Sequence, residues 1–128
     1  MGEIRVEGFD HLVLVCADVE RSLAWYLDEL GLDAVRVEEW RRREVPFPSV
    51  RVSPETIIDL IPGNVSGRNV DHVCLVVDQG SVDHVVSSGR FTVVDGPDQR
   101  YGARGMATSV YVTDPDGNVV ELRAYPSA

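Results

Sequence analysis

Two histidines, His11 and His72, each follow an aspartate and each head a strand-like apolar run, FDHLVLV over 9–15 and VDHVCLVV over 70–77. A neutral imidazole offers one nitrogen lone pair, which can accept a hydrogen bond, take a proton or bind a metal. Two carboxylates follow at matched spacing: Asp59 lies 48 residues after His11, in TIIDLI, and Glu121 lies 49 after His72, in NVVEL. Imidazoles and carboxylates converging in a hollow are costly while the carboxylate is ionised and unpaired. A divalent cation removes that cost. Neutral His nitrogens with an anionic oxygen suit Fe(II), Mn(II), Co(II), Ni(II) or Zn(II), and two His with one carboxylate leave coordination positions open for a substrate. A metal-free hydrogen-bond network is the alternative use of the same residues.

The elements that would position these groups come in two copies. His72 follows His11 by 61 positions, and SVRVSPETIIDL (49–60) aligns with SVYVTDPDGNVVEL (109–122) if two residues are added in the turn. That alignment sets Val50 against Val110, Pro54 against Pro115 and Asp59 against Glu121, so a unit of about 60 residues is used twice. In the first copy, Asp18 caps a helix whose apolar residues Val19, Leu23, Tyr26, Leu27 and Leu30 recur at helical spacing until Gly31. Strands are expected at 34–38, 49–53 and 56–61, giving β-α-β-β-β. GNVSGRN (63–69) reads as a linker. The second copy predicts a strand at 72–77, a helix at 81–88, strands at 91–94, 108–113 and 118–124, and a glycine-rich loop over 96–105. The fold class is therefore α+β, two βαβββ modules in tandem (about 5–62 and 69–125) within one domain of 128 residues.

Side chains alternate along a strand. The helix needs the Leu12 and Leu14 face, which leaves His11 on the opposite side; by the same rule His72 shares a face with Cys74, Asp59 with Ile57 and Ile61, and Glu121 with Val119 and Arg123.

Composition removes several functions. The net charge is −9, with 21 acids against 12 bases, which argues against nucleic acid or an anionic membrane as partner. All the bases are Arg, so Schiff-base chemistry on lysine is excluded. WRRRE (40–44) reads as a solvated loop. Cys16 and Cys74 lie in buried-looking strands outside any zinc or CxxC spacing and read as reduced core thiols. No apolar run is long enough to span a membrane and MGEIRVEG does not resemble a signal peptide, so a cytoplasmic protein is expected.

With the repeat, FDHLVLV, RSLAWYLDELGL, VDHVCLVV and VTDPDGNVVEL in view, the chain resembles the vicinal oxygen chelate superfamily over nearly its whole length. That group includes glyoxalase I, extradiol ring-cleaving dioxygenases, fosfomycin-modifying enzymes, methylmalonyl-CoA epimerase and bleomycin-binding resistance proteins. The resemblance implies a sheet wrapped around a metal-binding cavity, with His11, His72 and Glu121 on the family's ligand positions. Asp59 stands where glyoxalase I has a longer Glu as fourth ligand. Tyr111, Asp114, Pro115, Gly117 and Glu121 fit the dioxygenase signature, but Gly102, Ala103 and Arg104 occupy the window of its His.

The leading expectation is a metal-dependent lyase or isomerase of glyoxalase type. In it the cation holds two adjacent substrate oxygens, and Glu121 or Asp59 shuttles the proton. Tyr101, Arg104 and Tyr111 are candidates to hold substrate oxygens, with the 96–105 loop closing over them. Fe(II)-dependent ring cleavage is the runner-up, and a non-catalytic module that sequesters a drug is the rival from another class. Exposed sheet edges in modules this small predict a homodimer.

Overall fold

The computed structural model describes residues 5, 7, 9–68, 70–102 and 104–127. It divides into two compact units, Met1–Ser66 and Gly67–Ala128. Each contains one four-stranded sheet.

In the N-terminal unit β1 (His11–Cys16) leads into α1 (Val19–Ala24), which continues as a π-helical turn over Trp25–Glu29. Asp18 starts the helix, its side chain accepting from the Arg21 amide at 3.1 Å. Strand β2 (Asp33–Val35), helix α2 (Val37–Arg41), β3 (Ser49–Ser53) and β4 (Thr56–Pro62) complete the unit. Sheet order is β1-β4-β3-β2, with β1 and β4 parallel. Leu14 and Cys16 of β1 and Ile58 and Leu60 of β4 form one buried cluster with Val19, Leu23 and Tyr26 of the helix, and Leu12 packs against it. Each such side chain contributes about 1.5–3 kcal/mol by leaving water. The opposite face of β1 carries His11 and Val13, both exposed.

The C-terminal unit repeats the plan with β5 (Val73–Val76), α3 (Gln79–Ser88), β6 (Val93–Gly102), β7 (Gly105–Thr113) and β8 (Val119–Ala124). Its sheet order is β5-β8-β7-β6, again with a parallel first pair. Val82 and Val85 of α3 are buried, as are Val110, Val112, Val120 and Leu122 of the strands that α3 packs against. Among the described residues no helix is long and apolar enough to cross a membrane.

Four sequence expectations need correction. The strand expected at 34–38 ends at Val35, because Arg36 adopts the left-handed conformation (φ 57°) and starts α2. The apolar pair Val37 and Trp40, three apart, is the helical signal, and it turns inward onto the core. WRRRE is correspondingly not all loop: Arg41 ends α2 and pairs with Glu20 at 2.9 Å. The loop expected over 96–105 is mostly strand, since β6 and β7 form a long hairpin. Its Gly and Pro residues are absorbed in a register irregularity between Asp95 and Asp98, where Gly96 (φ 81°) lies so close to β7 that a Cβ would sit 2.5 Å from the Ser109 carbonyl. Finally, Cys16 is buried but Cys74, on the His72 face, is exposed.

Candidate metal centre

Each unit brings one His and one carboxylate together. In the N-terminal unit Val13 of β1 lies beside Asp59 of β4, so His11, two residues back on the same face, reaches the carboxylate diagonally. His11 Nε2 is 3.8 Å from Asp59 Oδ2. In the C-terminal unit Cys74 lies beside Glu121, His72 is again two residues back, and its Nε2 is 3.1 Å from Glu121 Oε1. Asp59 and Glu121 are buried, whereas the His side chains are about half covered, 46% and 35% exposed.

The residue before each His fixes its ring. His11 Nδ1 is 2.7 Å from Asp10 Oδ2, and His72 Nδ1 is 2.7 Å from Asp71 Oδ2. An ionised carboxylate only accepts, so Nδ1 carries the proton and donates. Nε2 is thereby left to face the buried carboxylate: protonated, it donates to that oxygen, and deprotonated, it is the lone pair that a cation placed between the two would take. A His whose second nitrogen donates to a carboxylate is the usual support of a metal ligand, fixing its tautomer and raising its basicity. The charges agree. The hydrogen bond to Asp10, aided by the Asp59 charge and opposed by partial burial, raises the His11 pKa above its ordinary value. The bond to His72 holds Asp71 below the ordinary carboxylate value.

The far oxygen of each carboxylate is occupied. Ser49 Oγ donates to Asp59 Oδ1 at 2.6 Å, and Arg36 Nη2 donates to Ser49 Oγ at 3.0 Å while lying 3.9 Å from the same carboxylate oxygen. Ser109 Oγ donates to Glu121 Oε2 at 2.6 Å, and Arg123 Nη1 donates to it at 2.8 Å. Burial alone would raise the Glu121 pKa, but hydrogen bonds from Ser109, Arg123 and Tyr111 outweigh it and hold the group below its ordinary value. Glu121 therefore stays ionised. Burial and the Glu121 charge in turn push the Tyr111 phenol up.

A cavity of about 290 Å³ opens beside His72, lined by Arg68, Asp71, Asp95 and Tyr111 over apolar Val94 and Val119. Tyr111 meets the His72 ring edge to face at 5.6 Å and carries the Arg100 guanidinium 6.0 Å from its own centroid. Of the three residues expected to hold substrate oxygens, Tyr111 is at this cavity. Arg104 instead stacks on Tyr125 at 4.2 Å, so the hairpin directs it to a ring and not to the cavity lining. The Tyr101 side chain lies outside the described residues.

Sequence reasoning missed Ser49, Ser109 and Arg36, and it noticed Asp10, Asp71 and Arg123 without a role for them. The register also corrects the alignment of the two copies. Ser49 pairs with Asp59 across β3 and β4, whereas Tyr111 pairs with Glu121 across β7 and β8. Each carboxylate lies ten residues beyond its cross-strand partner (59 − 49 and 121 − 111), so by register the equivalent of Ser49 is Tyr111 and the two-residue offset falls away. The serines hold their carboxylates from non-equivalent places.

Among the described residues no group of three His, Cys, Asp or Glu is close enough to hold a metal. Each pair is nonetheless half of such a set: Nε2 and one carboxylate oxygen face each other on the same sheet face, 3.8 Å apart in the N-terminal unit and 3.1 Å in the C-terminal one, while Nδ1 and the other carboxylate oxygen are engaged. The donor chemistry fits a divalent ion.

A sequence model of the Glyoxalase/Bleomycin resistance protein/Dioxygenase superfamily matches residues 8–122. The chain belongs to this superfamily. It is 30% identical to the glyoxalase domain-containing protein RDO1 of Mycosarcoma maydis, over 98% of this chain and 73% of that protein. It is 28% identical to a lactoylglutathione lyase of Salmonella typhimurium, over 88% of each. Among solved structures, an integron cassette protein from the mobile metagenome of V. cholerae superposes with a TM-score of 0.75 at 30% identity, covering 96% of this chain and 98% of that one. Superfamily members are thus built, like this chain, from tandem α+β modules, and they include lyases and dioxygenases.

Proposed function

We propose that the protein is a divalent-metal-dependent enzyme of glyoxalase type, a lyase or isomerase that binds a small substrate through two adjacent oxygens. The observation that carries this is the paired Asp–His arrangement, in which Asp10 and Asp71 each pin a ring through Nδ1 and leave Nε2 toward a buried carboxylate. A metal-free network has no need of that support twice. The similarity to a lactoylglutathione lyase supports the same chemistry.

On this reading His11, His72, Glu121 and Asp59 supply the donors, because two ligands are too few for a stable site. The ion, when bound, supplies Lewis-acid polarisation of the substrate oxygens. Glu121, fixed by its hydrogen bonds and ionised, is the constant anionic ligand. Among the described residues Asp59 keeps a single short hydrogen bond, to Ser49, and it is the residue that takes and returns the substrate proton. Tyr111, at the edge of the cavity beside His72, orients a substrate oxygen. The active species is a homodimer, in which the sheet edges of two such modules are covered.

Metal analysis of protein purified without chelator is expected to give about one divalent ion per site, and His72→Ala to abolish it. Turnover of lactoylglutathione in either direction should disappear with chelator and return with added metal. Unchanged metal content in both His11→Ala and His72→Ala would end the proposal; a monomer by light scattering at micromolar concentration would remove the dimer alone.

A further inference from the structure

The C-terminal pair contains an arginine that the reading above does not use. Arg123 is on β8, two residues beyond Glu121 and therefore on the same face, and it is only 3% exposed. Its Nη1 donates to Glu121 Oε2 at 2.8 Å and to Ser109 Oγ at 3.3 Å. Its Nη2 donates to the carbonyls of Arg100 and Gly105, both at 3.0 Å. The Tyr125 ring covers the guanidinium at 4.8 Å. Nε, also buried, has no hydrogen-bond partner among the described residues. The Nη atoms therefore set the placement, and they aim at Glu121.

A carboxylate free to turn about its last bond would offer either oxygen, or both. With Oε2 held by Arg123 and Ser109, only Oε1 faces His72 Nε2, at 3.1 Å. The guanidinium occupies this position because residue 102 has no side chain: a Cβ on Gly102 would stand 2.4 Å from Cζ, 2.5 Å from Nη2 and 2.8 Å from Nε of Arg123. Such distances are below any real contact. Because both Nη atoms are hydrogen-bonded, a methyl group at 102 would force the guanidinium to shift and strain its bonds to Glu121 and to the two carbonyls.

We propose that Arg123 is a positioning residue which, seated against Gly102, turns the Glu121 carboxylate so that a single oxygen is presented beside His72. Its purpose is the geometry of the donor pair. A purely structural arginine would tie the ends of the β6–β7 hairpin through the two carbonyls and leave Glu121 indifferent.

The experiment compares wild type with Arg123→Lys and Gly102→Ala, the second of which keeps the guanidinium but displaces it. Each is titrated with Co(II) alone by visible absorption. Each is also measured without metal, by the ¹⁵N shifts of the His72 and His11 rings at fixed neutral pH. The Co(II) arm rests on the metal reading above; the imidazole arm does not. Folded variants are expected to bind Co(II) at least tenfold more weakly with an altered spectrum, and to move the His72 ring signals while leaving those of His11 in place. Folded variants with wild-type affinity, spectrum and His72 shifts would overturn the proposal. So would loss of folding in both, which would show that the guanidinium serves the hairpin. If the wild type takes no Co(II), the metal reading falls, and the His72 signals still decide the role of Arg123.

Discussion

Asp59 and Glu121 make an instructive pair, because the two units arrive at similar surroundings from different positions. Asp59 is held by a serine directly across the sheet and by an arginine that comes from a left-handed turn between β2 and α2, its side chain 42% exposed. Glu121 is held by a serine two pairs further along β7 and by an arginine on its own strand, buried beneath Tyr125. The extra methylene of Glu121 shortens the His–carboxylate gap from 3.8 to 3.1 Å. What the repeat conserves is the outcome, one oxygen tied back and one turned to a His. What differs is stiffness. Glu121 has two strong donors on one oxygen, one of them a buried guanidinium; among the described residues Asp59 has one strong donor and a part-exposed guanidinium at 3.9 Å. The stiff carboxylate suits a permanent ligand and the loose one a proton carrier.

The largest effects test whether the two pairs act as one site. His11→Ala and Glu121→Gln are each expected to lose metal-dependent turnover entirely, since each breaks a different pair. Mixing the two inactive proteins then shows how the pairs are pooled. If they are pooled between chains, the mixed dimer contains one intact set and regains part of the activity. If they are pooled within a chain, every set stays damaged and nothing returns. Substantial activity in either single variant would mean that the pairs work independently, and the comparison would lose its functional meaning.

Next come the carboxylates themselves. Glu121→Gln should weaken metal binding at least tenfold more than Asp59→Asn, because on the proposed reading three donors, His11, His72 and Glu121, remain when Asp59 is neutralised. Turnover should show the reverse emphasis: Asp59→Asn, with most of its metal retained, is expected to lose about 10²–10⁴-fold in kcat as the proton carrier is removed. Calorimetric metal titration beside steady-state kinetics separates the two. Equal metal loss in both variants would make Asp59 a full ligand and erase the division of labour.

The aspartates before the histidines are the symmetric part of the comparison. Asp10→Asn and Asp71→Asn are each expected to weaken metal binding by about 10–100-fold. They should do so to similar extents, because the 2.7 Å bond to Nδ1 is the same in both units. A tenfold disparity between them would show that one ring is held by something else.

These particulars also mark what a single sequence could convey. The DH pairs, the strands they head and the late carboxylates were legible because period-two alternation and a 61-residue repeat are properties of spacing. The α1 cap at Asp18 was legible for the same local reason. The Ser and Arg partners were not, because they depend on cross-strand register, and a turn misjudged by two residues moves every partner along the strand. Arg36 needed knowledge of a left-handed backbone at a residue that rarely adopts it. The β6–β7 hairpin was hidden because Gly96, Pro97, Gly102 and Gly105 read as loop in one dimension; in three, β7 supplies the pairing that makes most of the segment a strand.

The smallest predicted effect lies away from the site and compares the two helix starts. Asp18 caps α1 through a single bond of 3.1 Å, whereas Asp78 caps α3 through the Ser81 amide and the Ser81 hydroxyl, both at 2.8 Å. These bonds, the hydroxyl first, hold the Asp78 pKa below its ordinary value of 3.8. Asp78→Ala should therefore lower the Tm at neutral pH by about 2–5 °C, more than Asp18→Ala does. The pH dependence follows from the sign of the shift. With the folded pKa lower than the unfolded one, the unfolded chain binds the proton first as acid is added. The stabilising contribution is thus complete above 3.8 and is lost as the pH falls below it through the folded value. Asp78→Asn keeps a capping oxygen but cannot titrate. Thermal melts of wild type and Asp78→Asn should keep a constant separation above that range and change it, at the wild type's expense, below it. A separation that stays constant down to the lowest pH at which both proteins fold would mean that the Ser81 bonds do not favour the ionised form.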